Sequence, residues 1–245
     1  MSDAAVVTAQ NRRPHMEDHV HVEQPFAGHP DSMYVGVFDG HGGAAVSRRA
    51  ARDLHALLAA EMHRGLPPDV AMFPAFRAFD ETVAAEPSGS TAAVLVLQGD
   101  RLTVANAGDS HIILVSRGKT SQLTAEHRLT NEAERQRVVA AGAELWGQYA
   151  CLPDGRGLMC TRSLGDREFR SIGILAEPAV ATQVTTAEDL WVIAATDGVW
   201  DGLEPELVGR IAMTATTARD AAERIRDAAV AANPDNVSVV AIHIH

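Results

Sequence analysis

The chain predicts an α+β fold. Two observations carry that expectation. Alternating apolar runs are joined by hairpin-length turns, and helical periodicity is confined to a few separate stretches. Strands come first, then two helices, many strands, further helices and a last strand. That order favours antiparallel sheets over a regular βαβ repeat.

Val6 to Thr8 reads as a short β-branched strand, and His19 to Val22 and Met33 to Phe38 as alternating strands. Ala44 to Arg64 carries Val46, Ala50, Leu54, Leu57, Leu58 and Met62 at helical spacing, and Leu66-Pro67-Pro68 breaks the helix. A second helix is expected over about Asp69 to Glu86, with Val70, Phe73, Phe76, Phe79 and Val83 on its apolar face. Pro87 to Ser90 is a turn. A meander follows through Thr91–Gln98, Arg101–Asn106 and Ser110–Ser116, with turns at Gly99-Asp100 and Arg117-Gly118-Lys119. Asn131 to Ala141 reads as a short helix with Asn131 and Glu134 as a capping pair. Leu145 to Val180 is irregular and punctuated by Gly and Pro, as expected of a mobile loop or flap. Leu190 to Thr196 is a second core strand, Glu206–Met213 and Ala218–Ala232 are helices, and Asn236–Ile244 is a last strand. Thr217 with Asp220 resembles a capping box.

The 245 residues show no repeat, linker or low-complexity tail, so one domain over 1–245 is expected. A hydrophobic share of 46% is enough for a sizeable core. A net charge of -11 argues against a general nucleic-acid or membrane-surface binder. Cys151 and Cys160 sit in no zinc or redox spacing, which points to a reducing compartment. The start has no basic, then apolar, leader pattern, and no run is long and apolar enough to span a bilayer. A soluble, cytoplasmic protein is expected.

Two segments share one pattern, an apolar strand ending on Asp-Gly: Tyr34 to Gly40 and Trp191 to Gly198. A carboxylate at the tip of a buried strand is costly unless a cation waits there. Finding the pattern twice suggests two strand ends that meet over a shared cation. Met16-Glu17-Asp18 and Pro234-Asp235-Asn236 add carboxylates from the two ends of the chain. No Cys or His pair stands at metal spacing, so the donor set is oxygen and suits hard divalent ions.

Asp39-Gly40-His41-Gly42-Gly43 has rival readings. With Ala45 it matches a dinucleotide-binding glycine fingerprint, but Asp39 would repel the pyrophosphate and no acidic ribose ligand follows. A capped strand-to-helix turn is the plain alternative. A metal site uses every residue: Asp39 bridges ions, Gly40 offers its carbonyl, His41 donates a proton, and the glycines turn the backbone. Gly118-Lys119-Thr120 lacks the first glycine of a P-loop and reads as a simple turn. The intervals from Cys151 to Arg156 and from Cys160 to Arg167 do not fit a Cys-loop-Arg phosphatase, so both cysteines read as buried and structural. Of the eleven histidines only His41 has a setting that demands a role; His19 and His21 read as strand filler.

Arg13 to Asp18, Asp39 to Gly43, Gly89 to Ala92, Asn106 to Ser110, Thr161 to Asp166, Ala195 to Asp201 and Asp235 to Ser238 follow one another as a set. Together they resemble the metal-dependent serine/threonine protein phosphatases of type 2C, in that family's order and over nearly the whole chain. The resemblance implies a four-layer sandwich, two central antiparallel sheets flanked by helices. It implies that Asp39, Asp197 and Asp235 hold one metal, and that Glu17, Asp39 and the Gly40 carbonyl hold a second. Arg13 would bind phosphate, His41 would be the general acid, and Asp18 would orient metal-bound water. Two Mg2+ or Mn2+ ions are implied, with a weaker third at Glu126 and Asp197. The chain departs from the family at His111, where Arg is usual, and at Glu126-His127-Arg128, where many members have Asp-His-Lys. The stretch between Asp166 and Glu177 is short, so any flap is modest.

The expected partner is a phosphorylated protein, met by a monomer with no nucleic acid and no membrane. Two cations would activate water for in-line attack on phosphorus, with no covalent phosphoenzyme. A silent relative that only binds a partner and a hydrolase of small phosphoesters are the alternatives.

Overall fold

The computed structural model describes residues 3–244. The first half contains β1 (Asp3–Ala9), β2 (His19–Glu23), β3 (Ser32–Phe38), β4 (Gly40–His41), α1 (Ala45–His63), α2 (Pro68–Thr82), β5 (Gly89–Ser90), β6 (Ala92–Gln98), β7 (Arg101–Ala107), β8 (His111–Ser116) and β9 (Lys119–Gln122). The second half contains α3 (Glu132–Ala140), β10 (Glu144–Trp146), β11 (Tyr149–Cys151), β12 (Gly157–Leu158), β13 (Leu164–Gly165), a 3-10 helix (Arg167–Ile172), β14 (Ala179–Val184), β15 (Asp189–Ala195), α4 (Asp197–Trp200), α5 (Pro205–Met213), α6 (Ala218–Ala232) and β16 (Val237–His243).

Two five-stranded antiparallel sheets form the centre, in the orders β14-β7-β6-β3-β2 and β1-β16-β15-β8-β9. Strand alternation decides which layer each residue joins. Tyr34, Phe38, Val94 and Val96 turn outward onto Leu54, Leu58, Met72 and Phe76 of α1 and α2. Their neighbours Val35, Val37, Leu95 and Leu97 turn inward and meet Ile112, Leu114, Val192 and Val240 of the other sheet. Ile113, Ile193 and Val239 face outward again, onto Val208 of α5 and Ile225 of α6. The result is the expected sandwich, helix on sheet on sheet on helix. Because β3 is covered on both faces, all of its residues are buried. A one-residue slip of β3 would exchange the two core layers.

The structure corrects several expectations. β1 is longer than Val6–Thr8, because it pairs with β16 along its whole length. The second helix begins at Pro68 and ends at Thr82. Val70 and Phe73 are exposed; its buried stripe is Ala71, Met72, Ala75, Phe76 and Phe79. The two alanines put the stripe one position away from the row of large side chains. Asn131 caps α3, its side chain accepting from the Ala133 and Glu134 N–H groups. Glu134 is no return cap; its carboxylate faces inward. Thr217 accepts from the Asp220 N–H, but Asp220 accepts from Thr216 rather than from the cap residue.

Leu145 to Val180 is not an unstructured flap. β10, β11 and β12 form a small sheet, and Phe169, Ile172 and Ile174 pack with Val138 and Leu152 in their own apolar cluster. Glu134 ties the segment to α3. It accepts from Arg137 at 2.5 and 2.7 Å, from Arg162 Nη2 at 2.8 Å and from Thr161 Oγ1 at 2.7 Å. Burial opposes its ionisation, but the two guanidinium groups prevail and hold its pKa near about 2. A depressed carboxylate stabilises the fold above its unfolded value and loses that contribution as pH falls through the folded one. Glu134→Gln should therefore destabilise by about 3 kcal/mol at pH 7. Urea denaturation of both proteins should show the gap closing as the pH falls from about 4.5 towards 2. Among the described residues no helix is long and apolar enough to cross a membrane.

Candidate active site

The ends of both sheets open on one cleft of about 290 Å³. Asp39 leaves β3 and Asp197 leaves β15. Asp235 and Asn236 lead into β16, while Glu17 and Asp18 lead into β2. Thr91 N–H donates to the Asp39 carbonyl at 2.8 Å, and Asp39 N–H donates to Thr91 Oγ1 at 3.2 Å, which fixes the first strand tip. A Cβ on Gly198 would lie 1.8 Å from the Asn236 carbonyl oxygen, so only glycine lets the second tip pack there. A Cβ on Gly40 would lie 2.6 Å from the Glu17 carbonyl oxygen. That close approach brings the Asp39-Gly40 turn against the Glu17 backbone.

Asn236 organises this junction, a role the sequence did not reveal. Its Oδ1 accepts from Glu17 N–H at 2.8 Å, and its amide donates to the carbonyls of Gln10 at 2.8 Å and His15 at 3.0 Å. The loop from Gln10 to Asp18 is thereby held against β16. Ser47 Oγ donates to the Glu17 carbonyl at 2.5 Å. Asp18 lies behind the cleft, buried, and accepts from Thr196 Oγ1 at 3.0 Å.

Carboxylates crowded this way resist ionisation. Burial, then the neighbouring Asp197 and Asp18, push Asp39 well above the usual carboxylate range. Burial and Asp109 raise Asp197 to about 7, and burial raises Asp18 to about 6. The donors are all oxygen, and their mutual repulsion is what a hard divalent cation relieves. The residue set fits such ions.

Arg13 and His41 both line the cleft beside the carboxylates. Arg13 Nη2 donates to Asp235 Oδ2 at 2.6 Å, and the Arg13 side chain is 54% exposed. Its remaining N–H groups face open solvent at the cleft. His41 Nε2 lies 2.6 Å from Asp166 Oδ2. Burial opposes protonation of the imidazole, but Asp166 outweighs it and raises the pKa. The pair rests on Gly89, where a Cβ would lie 2.0 Å from Asp166 Oδ2 and 2.4 Å from His41 Nε2. Asp166 is thus a site residue that sequence reasoning passed over; its left-handed backbone, φ 49°, aims the side chain back at His41.

Glu126 does not meet Asp197 directly. Its Oε1 lies 3.9 Å from His111 Nε2 and 3.6 Å from Arg128 Nε. Arg128 bridges the acids: Nε donates to Asp109 at 2.6 Å, Nη1 to Asp201 at 2.7 Å and Nη2 to Asp197 at 3.0 Å. The Arg128 guanidinium thus contacts both Glu126 and Asp197. Arg128 and Asp109 are both nearly inaccessible, with side chains 11% and 5% exposed. Arg128→Ala leaves Asp109 buried without its partner, and the expected loss of stability is about 3–5 kcal/mol, read by denaturant unfolding.

Cys160 lines the cleft but is buried, and burial followed by the surrounding acids raises its thiol well above the usual value. Cys151 is also buried, so neither thiol is placed as a nucleophile. His127 is buried as well. Its Nδ1 accepts from Gly108 N–H at 3.2 Å, and burial lowers its pKa to about 4, so it is a neutral structural imidazole.

The family model of Protein phosphatase 2C matches residues 2–237. Protein phosphatase 2C homolog 1 of Saccharomyces cerevisiae is 31% identical, over 94% of this chain and 88% of its own. Probable protein phosphatase 2C 72 of Arabidopsis thaliana is 32% identical, over 93% and 78% respectively. Among solved structures, serine-threonine phosphatase 2C from Toxoplasma gondii has a TM-score of 0.84 at 21% identity, over 99% of this chain and 94% of that one, and so shares the fold. A C. elegans sex determining protein has a TM-score of 0.84 at 27% identity, over 99% of this chain and 64% of that one. With its motifs in order and the match running through nearly all of its length, the chain belongs to the protein phosphatase 2C family of metal-dependent phosphoprotein hydrolases.

Proposed function

We propose that the cleft hydrolyses phosphoserine and phosphothreonine with water activated by two divalent cations, within one catalytic domain spanning the chain. The observation that carries this reading is the convergence of the two Asp-Gly strand tips in one cleft that Arg13 and His41, the latter paired with Asp166, also line. Asp39, Asp197 and Asp235 would hold one ion; Glu17, Asp39 and the Gly40 carbonyl would hold the other. Bound Mg2+ or Mn2+ supplies Lewis acidity and a nucleophile at neutral pH.

The chain's own residues do the rest. Arg13 keeps N–H donors free for phosphate oxygens while Asp235 steadies its fork. His41, held by Asp166, gives its proton to the departing seryl or threonyl oxygen as the P–O bond breaks. Asp18, anchored by Thr196 behind the cleft, would help orient the attacking water. Glu126 is engaged by His111 and Arg128, so two ions rather than three are the working set. Phosphate release from a phosphothreonine peptide should require Mg2+ or Mn2+, stop in chelator and return when the metal is restored. Release that persists in excess chelator, or faster turnover of a small phosphoester than of the peptide, would contradict the proposal.

A further inference from the structure

Between α1 and the edge of its sheet the fold assembles a second group of ligand-type side chains. His21 and Glu23 share one face of β2, the edge strand of its sheet, and His55 comes from α1 above them. One ligand atom from each of the three lies within 4.8 Å of the others. Glu23 Oε2 is 3.6 Å from His21 Nε2 and 3.6 Å from His55 Nε2. Tetrahedral zinc at ordinary bond lengths sets its donors about 3.4 Å apart, so these spacings are within a few tenths of an ångström.

One of these atoms, His21 Nε2, and the other ring nitrogen of His55 lack partners. His21 Nε2, His55 Nδ1 and the Tyr34 hydroxyl are all buried without a hydrogen-bond partner. The Tyr34 ring borders the histidine pair, its centroid 5.9 Å from that of His21 and 6.0 Å from that of His55. Each such group is costly unless something fills the gap. Access exists, because the side chains of His21, Glu23 and His55 are 31%, 40% and 20% exposed.

We propose that His21, His55 and Glu23 form a second metal site, for a borderline ion of the zinc class, which staples the edge strand β2 to α1. Two imidazoles and one carboxylate favour such an ion over magnesium, whereas the all-oxygen cleft favours the reverse. The imidazoles stack, centroids 4.0 Å apart and planes 18° from parallel. Aiming both lone pairs at one ion takes a turn about each Cβ–Cγ bond, a soft torsion. Burial first, and then His21, lower the pKa of His55, which keeps its lone pair available at neutral pH. Because β2 begins immediately after Glu17-Asp18, an ion here would also fix the strand that carries those residues to the cleft.

The full chain, stripped with chelator, is given Zn2+ in excess Mg2+, desalted, and its bound zinc counted. Co2+ in parallel reports the ligand type by its visible spectrum. Wild type should retain one zinc and show intense tetrahedral Co2+ bands. His55→Gln and His21→Asn should lose both, and Asp39→Asn should keep both. No zinc retained by wild type, or undiminished retention in the His21 and His55 variants, overturns the site. Circular dichroism checks folding. If a histidine variant fails to fold, Glu23→Gln, at a half-exposed position, replaces it: lost zinc supports the site and retained zinc overturns it.

Discussion

Asp39→Asn lowers phosphate release by about 10³-fold or more, since a bridging metal ligand underlies several kcal/mol of transition-state stabilisation. Asp197→Asn should do the same from the other strand tip. The loss is chemical rather than structural, and stability should move the other way in chelator. The Asp197 pKa, raised to about 7 by burial and then Asp109, stands above the ordinary 3.8. A carboxyl with a raised folded pKa stabilises the fold fully below its unfolded value and loses that contribution as pH rises through the folded one. Asp39 and Asp18 are shifted in the same direction. Metal-free wild type should therefore melt at a lower temperature at pH 8 than at pH 6, and Asn at either strand tip should narrow the difference. Equal melting at the two pH values would show that the carboxylates are not crowded as described.

The second large effect belongs to His41. Its replacement by Ala should cut kcat on a phosphothreonine peptide by about 10²–10⁴-fold, the range for a lost general acid. An aryl phosphate, whose leaving group needs no proton, should lose much less. Asp166→Asn tests the orienting half of the pair. Asp166 holds the imidazole in its protonated form to higher pH, so activity that depends on the acid falls as pH rises through that pKa. Without the carboxylate, that limb of the pH profile should move to lower pH. An unmoved limb, or equal losses on peptide and aryl phosphate, would remove His41 from proton transfer.

The strand tips were legible in the sequence because they are local. An apolar run that ends on Asp-Gly announces itself without any knowledge of what lies opposite. The layers were not legible in this way, because β3, β6 and β8 are apolar almost throughout, and burial on both faces leaves little alternation to sort their residues. What escaped depends on distant partners. Asp166 meets His41 across 125 positions, from a stretch whose glycines and prolines read as loop. Asn236 reaches Glu17 across 219 positions with no charge or period to mark it. Arg128 looked like an ordinary replacement until the fold gathered Asp109, Asp197 and Asp201 around its guanidinium. His21 read as strand filler because His55, which stacks on it, belongs to a different element. On α2, large side chains at near-helical spacing drew the apolar face to Val70 and Phe73, while Ala71 and Ala75 are what allow the close packing.

Electron paramagnetic resonance of Mn2+ bound to the full chain probes the shared site itself, because ions bridged by one carboxylate are magnetically coupled. A coupled pair is expected in the wild-type cleft and should disappear in Asp39→Asn. Isolated, uncoupled Mn2+ in wild type, or a coupled signal that survives in Asp39→Asn, would contradict the shared-cation site at the two strand ends.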